Sequence, residues 1–245
     1  METVELTVIG CSDAFGSGGR RNTCFHIKTP STQFLIDCGA SAFPGLKELN
    51  IDTEEISTII ISHFHGDHYG GLPFLLLEAA RNLRKKPLTI VSPPGCRENM
   101  HQLLALLYPG SNIMEELDLN FLEFTDEEMV IRDDLKLIAK PVIHSEASLP
   151  HGIRIHTSGK IISYSGDTAW TENLIALSEN ADLFICECTF FTGKVKGHLN
   201  YTELARQLPK MNFRNILLTH LDKQMLKNRH KIAHACAEDG MKILI

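Results

Sequence analysis

No stretch of the chain stays apolar for the roughly 18 residues that a membrane-spanning helix needs. The opening residues, Met1-Glu2-Thr3-Val4-Glu5, lack a basic region leading into an apolar one, so no secretion signal is expected. Also missing is any Cys-x-x-Cys spacing. Seven cysteines, an odd number, suit reduced thiols in a cytoplasmic protein better than a disulfide framework. Positive charge is not in excess either. The net charge of −6 argues against a broadly basic nucleic-acid-binding surface, although not against a local basic path. The one basic cluster, Arg84-Lys85-Lys86, falls where a helix should close and reads as a complement to its dipole. No proline-rich, glycine/serine-rich or charge-block linker divides the 245 residues, and no repeat stands out. Residues 1–245 are therefore expected to form one domain with a sizeable core.

Histidine, by contrast, is concentrated. Within the six residues His63-Phe64-His65-Gly66-Asp67-His68 stand three imidazoles and a carboxylate, directly after the apolar run Thr58–Ile61. Imidazole is the commonest neutral metal ligand, and carboxylate beside it suits zinc, iron or manganese. In an extended segment residues i and i+2 face the same way. His63 and His65 can then grip one ion, while Asp67 and His68, beyond the small Gly66, turn toward a second. Matching groups close other short β-type runs: His144 after Ala139–Ile143, Asp167 after Lys160–Ser165, and His220 after Asn215–Thr219. Alone, each histidine would read as an ordinary hydrogen-bonded residue and Asp167 as a cap or turn residue. As a set at strand ends, they point to a site on loops along one sheet edge.

These pieces, together with Leu6–Ala14, Phe34–Gly39, Tyr164–Thr168, Glu187–Phe190 and His198, resemble the metallo-β-lactamase superfamily, and within it the ribonuclease Z-like phosphodiesterase branch. The likeness runs over nearly the whole chain. It implies an α+β fold, a four-layer αββα sandwich of two mixed sheets with outer helices. Strand-rich early runs with helices added between later strands suggest the same layering. The resemblance also implies two divalent ions, zinc by default with Mn2+ or Fe2+ as alternatives. His63, His65 and His144 would hold one ion, Asp67, His68 and His220 the other, and Asp167 would bridge them. A metal-bound hydroxide would attack phosphorus. Asp67 would orient the attacking water, and Glu187 would pair with His198 to protonate the leaving group.

The expected substrate is a small phosphodiester such as a cyclic nucleotide, or a short RNA 3′ end. The Gly/Pro-and-Lys-rich insertion that would form a transfer-RNA-gripping arm is not found. The segment after the last ligand reads His220-Leu221-Asp222-Lys223 instead of carrying a serine, arginine and tyrosine. A carboxylic or thioester hydrolase of the same fold and a non-catalytic metal-binding scaffold are the alternatives. Asp37, at a strand end, reads equally as a support for a ligand imidazole or as a turn residue. The segment Gly16–Asn22 reads as a phosphate-cradling loop. Cys186 and Cys188 should share one face of a strand, as core or as a structural zinc site. The apolar Leu103–Tyr108 reads as core, a cleft wall or a self-associating face, which leaves a homodimer open. Helices are expected over 42–49, 72–83, 95–108, 170–179, 201–208 and 226–238.

Overall fold

The structure, a computed structural model, describes residues 3–245. In chain order the strands are β1 Glu5–Gly10, β2 Cys24–Lys28, β3 Gln33–Ile36, β4 Ile56–Ile60, β5 Leu88–Ser92, β6 Leu119–Glu123 and β7 Met129–Arg132. They continue as β8 Leu135–Pro141, β9 His151–Thr157, β10 Lys160–Tyr164, β11 Leu183–Glu187, β12 Ile216–Thr219, β13 Ala235–Cys236 and β14 Lys242–Leu244. The helices are α1 Ala42–Glu48, α2 Gly66–Tyr69, α3 Leu72–Arg81, α4 Cys96–Leu107, α5 Asn173–Ser178, α6 Tyr201–Gln207 and α7 Lys223–Lys227. Two seven-stranded sheets result, ordered β14-β1-β2-β3-β4-β5-β6 and β13-β12-β11-β10-β9-β8-β7. Each is mixed: β3 to β6 run parallel in the first, β10 to β13 in the second.

Apolar residues on both faces of the central strands create three cores between four layers. Alternate side chains leave opposite faces of a strand. Phe34, Ile36 and Ile60 therefore meet Ile153, Ile162, Tyr164 and Ile185 between the sheets. Their neighbours Leu35, Ile59 and Ile61 pack outward under Leu46, Leu75, Leu76 and Met100 of α1, α3 and α4. On the far side Phe184, Cys186 and Leu218 pack under Leu174, Leu204 and Met225 of α5, α6 and α7. Each fully buried aliphatic side chain contributes about 1.5–3 kcal/mol, so both faces of both sheets are committed. The parallel strands β3, β4, β10, β11 and β12 all end on the same side, and their following loops carry the chemistry. This is the αββα sandwich of the metallo-β-lactamase fold.

Several expectations fail locally. Residues 226–238 are not one helix. After α7 and a short turn the chain pairs Ala235 and Cys236 with Leu217 and Leu218, and Ala237 N donates to Leu218 O. An open sheet edge outcompetes helix propensity there. The strand β7 is not anticipated at all; only alternate residues along it are half-buried. In Leu103–Tyr108, Leu104 is buried, whereas Leu106 is 79% exposed and Leu107 47%. Arg84 lies beyond the end of α3 rather than in its last turn. Its buried guanidinium donates to the carbonyls of Thr53, Ile56, Lys86 and Pro87, which makes it an internal strut. All seven cysteines are buried and unpaired.

Candidate metal centre

Where β3, β4, β8, β10, β11 and β12 end, the cleft opens. Two non-glycine residues adopt left-handed backbone here, Asp37 (φ 58°) and His220 (φ 60°). Such conformations are strained and persist where surrounding structure holds them. The His63–His68 loop turns through the short α2, and Gly39 lies against it. A Cβ on Gly39 would lie 2.1 Å from Asp67 O, so only glycine permits that approach.

All seven expected ligand side chains converge, as two groups. Three imidazole nitrogens make the first: His65 Nδ1 is 3.2 Å from His63 Nε2 and 3.0 Å from His144 Nε2. The second gathers Asp67 Oδ2, His68 Nε2, Asp167 Oδ2 and His220 Nε2, with the two imidazole nitrogens 3.2–3.3 Å from each carboxylate oxygen. Asp167 Oδ2 also lies 4.0 Å from both His63 Nε2 and His144 Nε2, so it stands between the groups. Tetrahedral zinc bonds of about 2.0–2.1 Å imply donor-to-donor edges of about 3.3–3.4 Å, close to these separations. His68 Nε2 and Asp167 Oδ1 are buried without any hydrogen-bond partner. Buried polar atoms are rarely left so, and a cation would satisfy them. The residues fit divalent metal ions.

Four of the five ligand imidazoles, His63, His68, His144 and His220, have their outer nitrogen engaged, while His65 turns Nδ1 inward. His68 Nδ1 donates to Asp37 Oδ2 at 2.7 Å, and His63 Nδ1 to Ser62 Oγ at 3.0 Å, which itself donates to Asp37 Oδ2 at 2.9 Å. His144 Nδ1 donates to Gly197 O at 2.8 Å. His220 Nδ1 donates to Thr189 Oγ1 at 2.9 Å, and that hydroxyl donates to Glu187 Oε2 at 2.8 Å. With Nδ1 committed as the donor, the Nε2 of each of these four is left with its lone pair facing the cleft, the tautomer a ligand needs. Ser62, Thr189 and the Gly197 carbonyl are not among the expected site residues. Their signal is adjacency, since Ser62 precedes His63 and Thr189 follows Glu187 by two. Asp37 is both things read for it: a turn residue in strained backbone and the acceptor behind two imidazoles.

Burial alone would raise the Asp67 and Asp167 carboxyls, yet both stand below the usual carboxylate range, Asp67 held down first by His68 and then His220, Asp167 first by His220 and then His68. Burial would lower His68 and His220, but Asp167 raises both. Metal binding would release those protons. In the first group burial lowers His63 and His65, and neighbouring imidazoles lower them further, which favours the neutral ligand form.

Glu187 is fully buried and accepts from Thr168 N, Thr189 N, Thr189 Oγ1, Leu199 N and His198 Nδ1. Its position near His198 and His220 could suggest another metal grouping, but five donors already occupy both its oxygens. It is a support. His198 Nδ1 lies 2.9 Å from Glu187 Oε1. Burial lowers its pKa, and the hydrogen bond and charge of Glu187 more than offset that, raising it to about 9. Five amides of the Gly16–Asn22 loop already donate within the protein, those of Gly16, Ser17, Gly19, Arg21 and Asn22, which speaks against a phosphate cradle. Asp222 caps α7 through Met225 N at 2.6 Å. Among the described residues no ligand grouping includes Cys186 or Cys188.

This fold and cleft define a metal-dependent hydrolase of the metallo-β-lactamase superfamily, ribonuclease Z-like phosphodiesterase branch, and comparison with known proteins agrees. A ribonuclease Z from Methanothermobacter thermautotrophicus is 26% identical, with 89% of this chain and 86% of that protein covered. The Anti-Pycsar protein Apyc1 of Bacillus phage BSP38 is 25% identical, with 92% and 91% covered. The crystal structure of the metallo-beta-lactamase fold protein YhfI from Bacillus subtilis superposes over 100% of both chains with a TM-score of 0.81, at 21% identity. The family described as "Anti-Pycsar protein Apyc1" matches residues 4–237, and the chain belongs to that family.

Proposed function

We propose that this chain is a dinuclear phosphodiesterase acting on small cyclic nucleotides or RNA 3′ ends. The observation that carries the reading is Asp167, whose Oδ2 lies between two complete donor groups. In this reading His63, His65 and His144 hold one ion, Asp67, His68 and His220 the other, and Asp167 is shared. Zinc is the first choice for so many imidazoles, with Mn2+ or Fe2+ as alternatives. Bound there, such ions would lower the pKa of water toward neutrality and offset charge at phosphorus.

The chain's own residues do the rest. Asp67 Oδ2 lies 3.2 Å from His220 Nε2 and 3.3 Å from His68 Nε2, a placement from which the carboxylate can orient the attacking water. His198 delivers a proton to the leaving oxygen. Its Nδ1 is tied to Glu187, so Nε2 is the nitrogen free to do this, and the side chain is 17% exposed. Glu187 sets the ring's orientation and keeps it charged. The reading takes the chain as one domain in the cytoplasm. Support for the latter is the set of unpaired thiols and the lack, among the described residues, of any helix long and apolar enough to cross a membrane.

The test is a panel of bis(p-nitrophenyl) phosphate, a 3′,5′-cyclic nucleotide, a precursor transfer RNA and a thioester, each with zinc and with a chelator. Chelator-sensitive phosphodiester turnover is expected. Thioester turnover without phosphodiester turnover would overturn the reading, and metal binding without any turnover would leave a scaffold. Among phosphodiesters the small one is favoured, because Asp222, a helix cap, stands where a phosphate-gripping residue is wanted.

A further inference from the structure

Beside His144 lies a cavity of about 750 Å³, walled by Ile143, Leu149 and Pro150, with His151, Glu146 and Lys196 also in its lining. Its apolar wall is held out at a conformational cost. Leu149 sits at φ 53°, ψ 59°, the left-handed region, closing the short turn Glu146–Ser148. A leucine there is strained, since the Cβ crowds the following carbonyl. Glycine would meet the same backbone without penalty. The side chain is only partly covered in return, being 39% exposed.

What fixes the strain is the cleft itself. Phe64 N, within the His63–His65 loop, donates to Ser148 O at 2.9 Å, and His151 N donates to Ser62 O at 3.1 Å. Leu149 N donates to Glu146 O, while Leu149 O accepts from His151 Nδ1 at 2.8 Å. The turn is therefore stitched to the ligand loop on both sides of Leu149. Opposite, Gly197 (φ 83°) presses on His144, where a Cβ would come within 2.8 Å of Nδ1, and this brings Lys196 to the cavity. Strain retained at a site's rim by a side chain left partly exposed points to a binding role.

We propose that this cavity is the subsite for the base of a nucleotide phosphodiester, with Leu149 as its specificity-determining wall. The inference rests on the phosphodiesterase reading above. A phosphate seated at His144 places its organic group in the adjoining space. Aliphatic and proline surfaces suit the faces of a planar ring, and the few polar groups suit its edge. Lys196 supplies a cation beside the phosphate.

The control is internal. Leu83, which follows α3, has the same left-handed backbone (φ 57°) and is 72% exposed, but lines no described cavity. Leu149→Gly and Leu83→Gly would be compared with the wild-type protein, zinc-supplemented, on adenosine 3′,5′-cyclic phosphate and on methyl riboside 3′,5′-cyclic phosphate. The second has the same scissile bond and no base. The wild type is expected to prefer the base-bearing substrate by at least about tenfold in kcat/KM, a difference within reach of one apolar pocket. Leu149→Gly should cut that preference at least about fivefold, mainly through KM, with Tm no more than about 2 °C below wild type. Leu83→Gly should keep the preference.

A preference unchanged in Leu149→Gly overturns the subsite, as does a Tm loss of several degrees with both substrates falling alike. If neither diester is hydrolysed, the phosphodiesterase reading falls and takes the subsite with it. Turnover of both with no base preference sinks the subsite alone.

Discussion

Two buried carboxylates stand behind the cleft, one at the end of a parallel strand in each sheet, and they support it differently. Asp37, after β3, holds His68 directly and His63 through the Ser62 hydroxyl. Glu187, at the end of β11, holds His198 directly and His220 through the Thr189 hydroxyl. The connectivity is alike: carboxylate to imidazole, and carboxylate to hydroxyl to imidazole. The difference is where the directly held imidazole goes. Asp37's partner ends among the converging donors, whereas Glu187's partner stands outside the two principal groups. In the proposed reading, one carboxylate serves metal geometry twice; the other divides its service between geometry and a proton.

The largest blow to this comparison would be Asp167→Asn, because it touches both donor groups. Changes behind the ligands cost about 10–100-fold, so losing the shared carboxylate should cost more than about 100-fold in turnover, with metal content falling below two ions per chain by elemental analysis. Next comes His198→Ala. Loss of a general acid costs about 10²–10⁴-fold, and here kcat should fall by about 100-fold or more while metal content stays at the wild-type value. A variant that loses both together would place His198 with the ligands and erase the asymmetry.

The two carboxylates can be set against each other more gently. Asp37→Asn is expected to weaken metal affinity about 10–100-fold, read by competition with a chelating dye. Glu187→Gln should weaken turnover more than affinity. Equal losses in both variants would show the two supports to be equivalent.

The smallest effect concerns His26, a buried imidazole with no carboxylate behind it. Its Nε2 meets only Gln33 Oε1 at 3.0 Å, and burial lowers its pKa from 6.5, the reverse of His198. The folded form therefore binds fewer protons than the unfolded one. Stability is full above about pH 6.5 and declines as pH falls toward the folded pKa. His26→Gln should remove part of that decline. At about 2–4 °C per kcal/mol for a chain of this size, the difference in Tm between pH 7.5 and 5.5 should shrink by a few degrees at most.

Much of the cleft was legible because its donors sit at strand ends, where apolar runs stop and imidazoles or carboxylates begin. His63, His65, Asp67 and His68 declared themselves by density, and Asp167 and His220 by repeating that position. Less legible were the groups that hold them. Ser62 and Thr189 are ordinary hydroxyl residues in sequence, and the Gly197 carbonyl has no side-chain signal at all. The misread helix over 226–238 failed for a related reason: a strand two residues long draws its stability from the edge of β12, a partner lying almost twenty residues back.

Residue order alone determined the alternation that buries both faces of each sheet and the identity of the metal-seeking groups, since both follow from local spacing. Folding decided the rest. Only the tertiary structure sets Asp167 Oδ2 between donors contributed by three other loops, places carboxylates behind them, and bends Leu149 into strained backbone beside His144. Each of those depends on distances between residues far apart in the chain, which no local pattern can encode.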